Sequence, residues 1–373
     1  MAASVTSLRR VFFHRIALPV LEVATAPHGP DSYLEMVNPM WSVRAVRAEI
    51  VSVRHLALGS VTLLLRPNRN WHGFRAGQHV AFTVEIDGVW RTRYYSLACS
   101  AHRNDGLLEF TVAAEPNGEV SGHLNRAARP GTVVRLSQPQ GGFGLPDDLP
   151  EHLLLISGGS GITPVMSMLR TLREDGFCAE GGSGRITFLH YARSAEHVAY
   201  ADELAASAAE YPRLRLVRSY TRSAGGELSG RFKPQHLPAV DDRTAAWVCG
   251  PAGLVDAVRA HWERCEISTP LQVEQFTAPV PAVPSDDGEP YGEVCFARSG
   301  RRMANTGAVL LEQAESLGLR PESGCRMGIC LTCNTHKTVG SVRNLYTGVL
   351  SAEPDTQIQI CSTVPVGDVT IDL

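Results

Sequence analysis

The stretch HLLLISGGSGITPVMSMLRTLRED (152–175) changes character after Ser157. Its first half is a short aliphatic run with no polar alternation, the signature of a strand covered on both faces. Gly158, Gly159, Ser160 and Gly161 then make a flexible turn, and Ile162, Thr163 and Pro164 open a segment with apolar residues at helical spacing. Glycine permits positive φ and close backbone approach, proline suits a first helical turn, and a helix amino end gathers N–H donors and partial positive charge. Together these features offer a seat for a pyrophosphate. A plain tight connection would use the same residues, and the spacing departs from G-x-G-x-x-G. The motif therefore needs company.

Downstream, RITFLHYA (185–192), the helical YADELAASAA (200–209), RLRLVRSY (213–220) and AAWVCG (245–250) continue the alternation of strand and helix. Such an order builds βαβ units and a parallel sheet. Upstream the pattern differs: HVAFTVEI (79–86), LLEFTVAA (107–114) and TVVRLSQP (132–139) are short β runs broken by Gly, Asn and Asp. They predict a small antiparallel barrel. TAPVPAVPSDDGEP (277–290) has four prolines and no periodicity, so it reads as a linker. In polyproline form it would reach about 40 Å at roughly 3.1 Å per residue. Few strand or turn signals can be placed in residues 1–42.

The last unit carries the most specific pattern. Cys325, Cys330 and Cys333 stand in C-x4-C-x2-C spacing, and Cys361 follows 28 residues later. That is the ligand arrangement of a plant-type 2Fe–2S cluster. Gly324 and Gly328 in the same loop let backbone N–H groups approach sulfide, which helps set potential. The alternatives are a zinc site, which generally takes two short ligand pairs, or buried cysteines. Cys99, Cys178, Cys265 and Cys295 are expected to be small core residues. The segment 291–373 resembles the plant-type ferredoxins through CRMGICLTC (325–333), although its eight acidic and seven basic residues lack their strong negative charge.

RTRYYSLA (91–98) supplies Arg93, Tyr95 and Ser96 as R-x-Y-S. A guanidinium can neutralise a flavin phosphate, a tyrosine offers a flat face to an isoalloxazine, and a serine can hydrogen-bond near the hydride-accepting atom. An ordinary aromatic strand pair is the alternative. GEVSGHL (118–124) adds Gly118, Val120 and Ser121 at a turn and helix start, where N–H groups face a pyrophosphate. These motifs, with GGSGITP and the later VCGPAGL (248–254), resemble the ferredoxin–NADP⁺ reductase superfamily across 43–276. The resemblance implies FAD, with Arg93 and Ser121 on its phosphates and Tyr95 and Ser96 at its ring; residues alone do not separate FAD from FMN. It also implies Cys249 beside the nicotinamide, Gly250 and Pro251 in the turn beneath, and Phe276 over the other flavin face. A core phenylalanine is the alternative for Phe276.

Arg193, Ser194 and Arg222 follow two strands of the parallel sheet, and no acidic residue follows Ala192 directly. Arginine suits a 2′-phosphate and a carboxylate suits a free ribose, so NADPH is expected, with NADH the alternative.

The 373 residues and net charge of −3 describe a multidomain chain with no basic field for nucleic acid. The expected organisation is an N-terminal extension (1–42), an antiparallel β-barrel flavin domain (43–148), a parallel-sheet α/β nucleotide domain (149–276), the linker, and an α+β β-grasp ferredoxin domain (291–373). Nine cysteines without a disulfide framework, and no export signal or long apolar span, point to the cytoplasm. RRVFFHRIALPVL (9–21) is basic and apolar, and could touch the inner membrane surface or a partner there. The whole resembles actinobacterial-type NADPH reductases serving membrane fatty acyl desaturases, and also reductases of ring-hydroxylating or haem oxygenases. From another class, a redox-sensing interaction module remains the rival.

Overall fold

The computed structural model describes residues 25, 29–56, 59–116, 118–276, 290–323, 328, 332–345 and 348–373. The linker, apart from Pro290, and the segment 9–21 lie outside the described residues.

Helix α1 (Gly29–Val37) precedes six antiparallel strands: β1 (Val46–Leu56), β2 (Ser60–Pro67), β3 (His79–Ile86), β4 (Val89–Ser96), β5 (Leu108–Ala113) and β6 (Val133–Leu136). They pair in the order β4-β3-β6-β1-β2-β5. Alternation decides the inner face: Val80, Phe82 and Val84 of β3 are buried, whereas Ala81, Thr83 and Glu85 are not. Asp87 and Gly88, with φ of 52° and 77°, close β3 onto β4. This is the Asp-Gly sequence that a two-residue hairpin prefers, because both central residues need positive φ. The end strands β4 and β5 share no ladder. They are drawn together just past β4, where the Ala98 N–H donates to the Glu109 carbonyl at 2.8 Å. The expected closed barrel is thus a curled half-barrel. Helix α2 (Glu119–Ala127) plugs it with Val120 and Leu124.

Helix α1 adds an element to residues 1–42, where few strand or turn signals could be placed. Asp31 accepts hydrogen bonds from the Ser42 hydroxyl and Val43 N–H at 2.7 Å each, and Glu35 pairs with Arg47 and Arg135 of the half-barrel. The helix has no buried side chain, so charge rather than an apolar face seats it. An apolar periodicity could not have announced it.

The second sheet is parallel: β7 (His152–Gly158), β8 (Arg185–Ala192), β9 (Leu214–Tyr220), β10 (Leu228–Ser229), β11 (Thr244–Gly250) and β12 (Leu271–Gln275), in the order β10-β9-β8-β7-β11-β12. Helices α3 (Ile162–Glu174), α4 (Ala201–Glu210) and α5 (Ala252–Arg264) cover it. β7 is buried along its whole length. Leu153 and Leu155 enter the core under α3, while Leu154 and Ile156 enter the opposite core with Val255, Val258 and Trp262 of α5. Strand period two thus feeds two helix layers, which is why this run shows no polar alternation.

The last unit is a mixed sheet of β13 (Glu293–Phe296), β14 (Arg301–Ala304), β15 (Asn334–Asn344), β16 (Leu350–Ser351), β17 (Thr356–Gln359) and β18 (Thr363–Ile371), with the short helix α6 (Leu310–Ser316). β13 runs parallel to β18, and the remaining pairs are antiparallel. Lys337 is fully buried, with its ammonium donating to the carbonyls of Gly340 at 2.7 Å and Glu353 at 2.5 Å.

The first two units are clamped by Arg170 of α3. Its guanidinium donates to the Ala98 carbonyl at 2.7 Å, to Glu109 at 2.8 Å and to Glu203 at 2.8 and 2.6 Å.

Candidate functional site

In an open parallel sheet, ligands bind at the carboxyl ends of strands where the strand order reverses. Here that point lies between β7 and β11, and both glycine motifs converge on it. An added Cβ on Gly161 would stand 2.3 Å from the Cys249 carbonyl oxygen and 2.6 Å from the Gly250 nitrogen. Gly158 is confined less tightly, by the side chains of Leu254 and Pro251 at 2.8 and 3.0 Å. Gly159 is a glycine for another reason: its φ is +53° and nothing lies within 4 Å. Gly159 and Ser160 are exposed at the mouth, and Gly161 caps α3. The Thr163 hydroxyl donates to the Ser160 carbonyl at 3.2 Å, and Thr163 and Pro164 are buried in the first turn. Pro251 caps α5, and Gly250 ends β11. A crevice of about 550 Å³ lined by His152, Arg185 and Arg213 lies at the opposite, amino end of the sheet and takes no part.

On the half-barrel, Arg93, Tyr95 and Ser96 lie, with Tyr94, in the last four residues of β4. Arg93 and Tyr95 share one face and Tyr94 and Ser96 the other. Tyr95 packs edge-on against Phe82 with ring centroids 5.6 Å apart, and burial pushes its phenol upward in pKa. Ser96 is buried, and its hydroxyl has no hydrogen-bond partner among the described residues. An unsatisfied buried hydroxyl costs about 1–3 kcal/mol, so Ser96 fits a bound polar partner such as a flavin ring nitrogen.

Gly118 is the N-cap of α2 with φ −72°, and its missing Cβ leaves room for the Ser121 hydroxyl. That hydroxyl accepts from the Glu115 N–H at 3.2 Å and points at the Gly118 carbonyl, so it braces the turn. Val120 is buried in the half-barrel core. The Gly118 N–H is taken by the Glu115 carbonyl at 2.9 Å, so what this turn offers a phosphate is the helix-start N–H groups of Val120 and Ser121 rather than side chains.

Two residues not anticipated from sequence complete the centre. Glu274 on β12 is the register partner of Cys249 on β11, and His79 on β3 is the register partner of Ser96 on β4. His79 Nδ1 and Glu274 Oε1 meet at 3.1 Å, each side chain only 9 % exposed. Glu274 Oε2 is buried without a partner among the described residues. Cys249 is fully buried, and burial, then the Glu274 carboxylate, holds its thiol well above the usual pKa. It is a neutral thiol, suited to packing against a ring and unsuited to nucleophilic attack. Phe276 is half-buried against the same core as Cys249. The signal for Glu274 was its place two residues before Phe276, on a strand next to β11. His79 had none.

Arg193 and Arg222 are both exposed, on adjoining loops joined by the Arg222 N–H donating to the Arg193 carbonyl at 2.9 Å. The Ser194 hydroxyl lies 2.8 Å from His197 Nδ1. Two exposed arginines therefore sit on neighbouring backbone at the carboxyl end of the sheet.

In the last unit Cys333 and Cys361 are buried with their sulfurs 3.1 Å apart, too far for a disulfide bond. The Gly328 N–H donates to Cys361 Sγ at 3.3 Å. Cys325 and Cys330 lie outside the described residues, and among the described residues no group of three metal-ligating side chains occurs. Of the remaining cysteines, Cys99 and Cys178 are buried as expected, but Cys265 is exposed at the end of α5 and Cys295 is half-buried. Cys265 is the C-cap residue past the last turn of α5, beyond the reach of the core under Val258 and Trp262, and its sulfur lies 3.6 Å from His261 Nδ1.

A family model for the oxidoreductase FAD-binding domain matches residues 54–144, and one for the oxidoreductase NAD-binding domain matches 155–260. The chain belongs to the NAD(P)H-dependent flavin oxidoreductases of the ferredoxin–NADP⁺ reductase type. It is 39 % identical over 353 residues to an NADPH oxidoreductase of Mycobacterium tuberculosis, covering 94 % of this chain and 90 % of that one. It is 29 % identical to the glycine betaine monooxygenase reductase subunit of Pseudomonas aeruginosa, over 80 % of this chain and 87 % of that one. Among solved structures, a phthalate dioxygenase reductase, described as a modular structure for electron transfer from pyridine nucleotides to [2Fe–2S], shares the fold. Its TM-score is 0.61 at 23 % identity, covering 88 % of this chain and 98 % of that chain. Among the described residues no helix is long and apolar enough to cross a membrane.

Proposed function

We propose that this reductase draws hydride from NADPH onto FAD and forwards electrons singly through a 2Fe–2S cluster to an oxygen-activating protein. FAD, when bound, supplies the exchange between two-electron and one-electron chemistry. Arg93 and the N–H groups of Val120 and Ser121, at the turn opened by Gly118, hold its phosphates, and Tyr95, Ser96 and Phe276 hold its ring. Gly158 to Pro164 receive the nucleotide pyrophosphate, Arg193, Ser194 and Arg222 the ribose phosphate, and Cys249, Gly250 and Pro251 the nicotinamide. Cys325, Cys330, Cys333 and Cys361 ligate the cluster.

The observation that carries the reading is a contact between the flavin strand and the cysteine loop. The Tyr94 hydroxyl lies 2.9 Å from Thr332 Oγ1, so the residue beside Tyr95 touches the residue beside Cys333. The Cys333–Cys361 pair and the N–H group aimed at its sulfur support a thiolate-ligated cluster there. For the acceptor we propose a membrane fatty acyl desaturase, and a non-haem or haem oxygenase as the second reading. The monooxygenase reductase subunits among the relatives favour the second.

The test has two stages. Cys330→Ser should lose the visible cluster spectrum while NADPH still bleaches the flavin; iron and sulfide absent from the native protein, with zinc in their place, would refute the electron chain. Reconstitution with desaturase membranes and acyl-CoA should then yield a new double bond. Turnover only with an oxygenase would move the acceptor to the second reading.

A further inference from the structure

His79 and Glu274 come from different units, 195 residues apart in sequence, and meet in the interior beside the proposed hydride site. The imidazole has little freedom. His79 exchanges backbone hydrogen bonds with Gln140 at 3.1 and 2.8 Å on one side and pairs with Ser96 on the other. Its ring rests on Gly141, where a Cβ would stand 2.9 Å from Cε1 and 3.0 Å from Nδ1. Tyr94 closes the remaining side edge-on, with centroids 5.7 Å apart. A ring fixed on three sides presents Nδ1 to one carboxylate oxygen and leaves the other, buried and unpartnered, for something else.

A buried carboxylate with one oxygen unsatisfied is costly unless a ligand completes it. The other orphaned polar atom of this centre, Ser96 Oγ, belongs to the residue opposite His79 across the ladder, and Cys249 lies opposite Glu274. The flavin half-barrel and the nucleotide sheet thus each contribute a strand pair to one small polar centre. We propose that His79 is a positioning residue for the nicotinamide end of the site. It acts through Glu274, fixing the carboxylate so that Oε2 accepts a hydrogen bond from the bound dihydronicotinamide. This rests on the reading of Cys249 and Ser96 as the hydride site.

The test uses the full-length flavin-loaded protein and two variants. His79→Phe keeps a ring and removes the N–H. His79→Asn keeps a donor near the Nδ1 position. With His79→Phe, flavin content and affinity for adenosine 2′,5′-bisphosphate should match the parent, because that probe occupies only the ribose-phosphate end. The saturating rate of flavin reduction by NADPH should fall about tenfold or more, as small misplacements at a reacting centre do. His79→Asn should recover most of that loss. Reduction at the parental rate in His79→Phe would overturn the proposal. So would equal losses in both variants with weakened bisphosphate binding, which would make the pair an interdomain clamp only. Failure of NADPH to reduce the parent protein would instead overturn the assignment of the hydride site.

Discussion

Replacing Gly161 with alanine separates two reasons for glycine within one motif. The backbone of Gly161 is ordinary right-handed helix, with φ −63° and ψ −3°, so a side chain is conformationally allowed there. Space forbids it. The new Cβ would lie 2.3 Å from the Cys249 oxygen, 2.5 Å from its carbonyl carbon and 2.6 Å from the Gly250 nitrogen. All three are backbone atoms at the end of β11, which is hydrogen-bonded to β7 and β12, so none can rotate away. Reaching normal contact requires the two motifs to part by roughly an ångström, and overpacking of this kind costs about 1–3 kcal/mol. The upper end applies, and about 3 kcal/mol corresponds to a fall of roughly 6–12 °C in melting temperature for a unit of this size. The same displacement should lower NADPH-driven flavin reduction by about a hundredfold. Gly159→Ala is the control: with φ +53° and open space it should cost only about 1–2 kcal/mol of left-handed strain. Scanning calorimetry and stopped-flow bleaching of the flavin read both effects. A Gly161→Ala protein that melts within about 1 °C of the parent and reduces flavin normally would refute the close-approach argument.

Three further outcomes are expected. His190 is fully buried with Nε2 unpartnered, and burial lowers its pKa to about 4. The unfolded chain, with an ordinary value near 6.5, therefore binds the proton first as pH falls. Up to about 3 kcal/mol of stability is lost between roughly pH 6.5 and 4, and denaturant titrations should show this acid limb flattened in His190→Gln. Arg170→Met removes the guanidinium that links Glu109 and Glu203 across the first two units; Arg103 and Arg173 still face these carboxylates at 3.7 and 3.8 Å, so the loss by denaturant unfolding should stay at about 3 kcal/mol. Arg193→Ala should raise KM for NADPH far more than for NADH in steady-state assays, and equal losses would assign Arg193 to general binding.

What the sequence disclosed was local. Gly158 to Pro164 and Cys249 to Pro251 are short runs whose residue types state a backbone requirement, and the structure brings them into contact. The short β run HVAFTVEI became strand β3 over the same residues. Curvature was less legible, since closure of a sheet depends on whether β4 and β5 pair, and no residue pattern in either strand states that. The pairing of His79 with Glu274 was invisible because it arises from the docking of two units, and a lone histidine at a strand start resembles any other. Helix α1 gave no signal because hydrogen bonds to Asp31 and ion pairs of Glu35 with later residues replace an apolar stripe.

The burial of Lys337 has a practical consequence for following this molecule in solution. Only two lysines occur in the chain; Lys233 is exposed, and Lys337 has no solvent-accessible surface. Of these two lysines, an amine-reactive reagent applied to the folded protein should therefore mark Lys233 and pass over Lys337. Both carbonyls that hold the Lys337 ammonium belong to its own unit, so its modification reports the opening of that unit alone. A pulse of reagent followed by peptide mass analysis would then time the local opening of the last domain without any engineered probe.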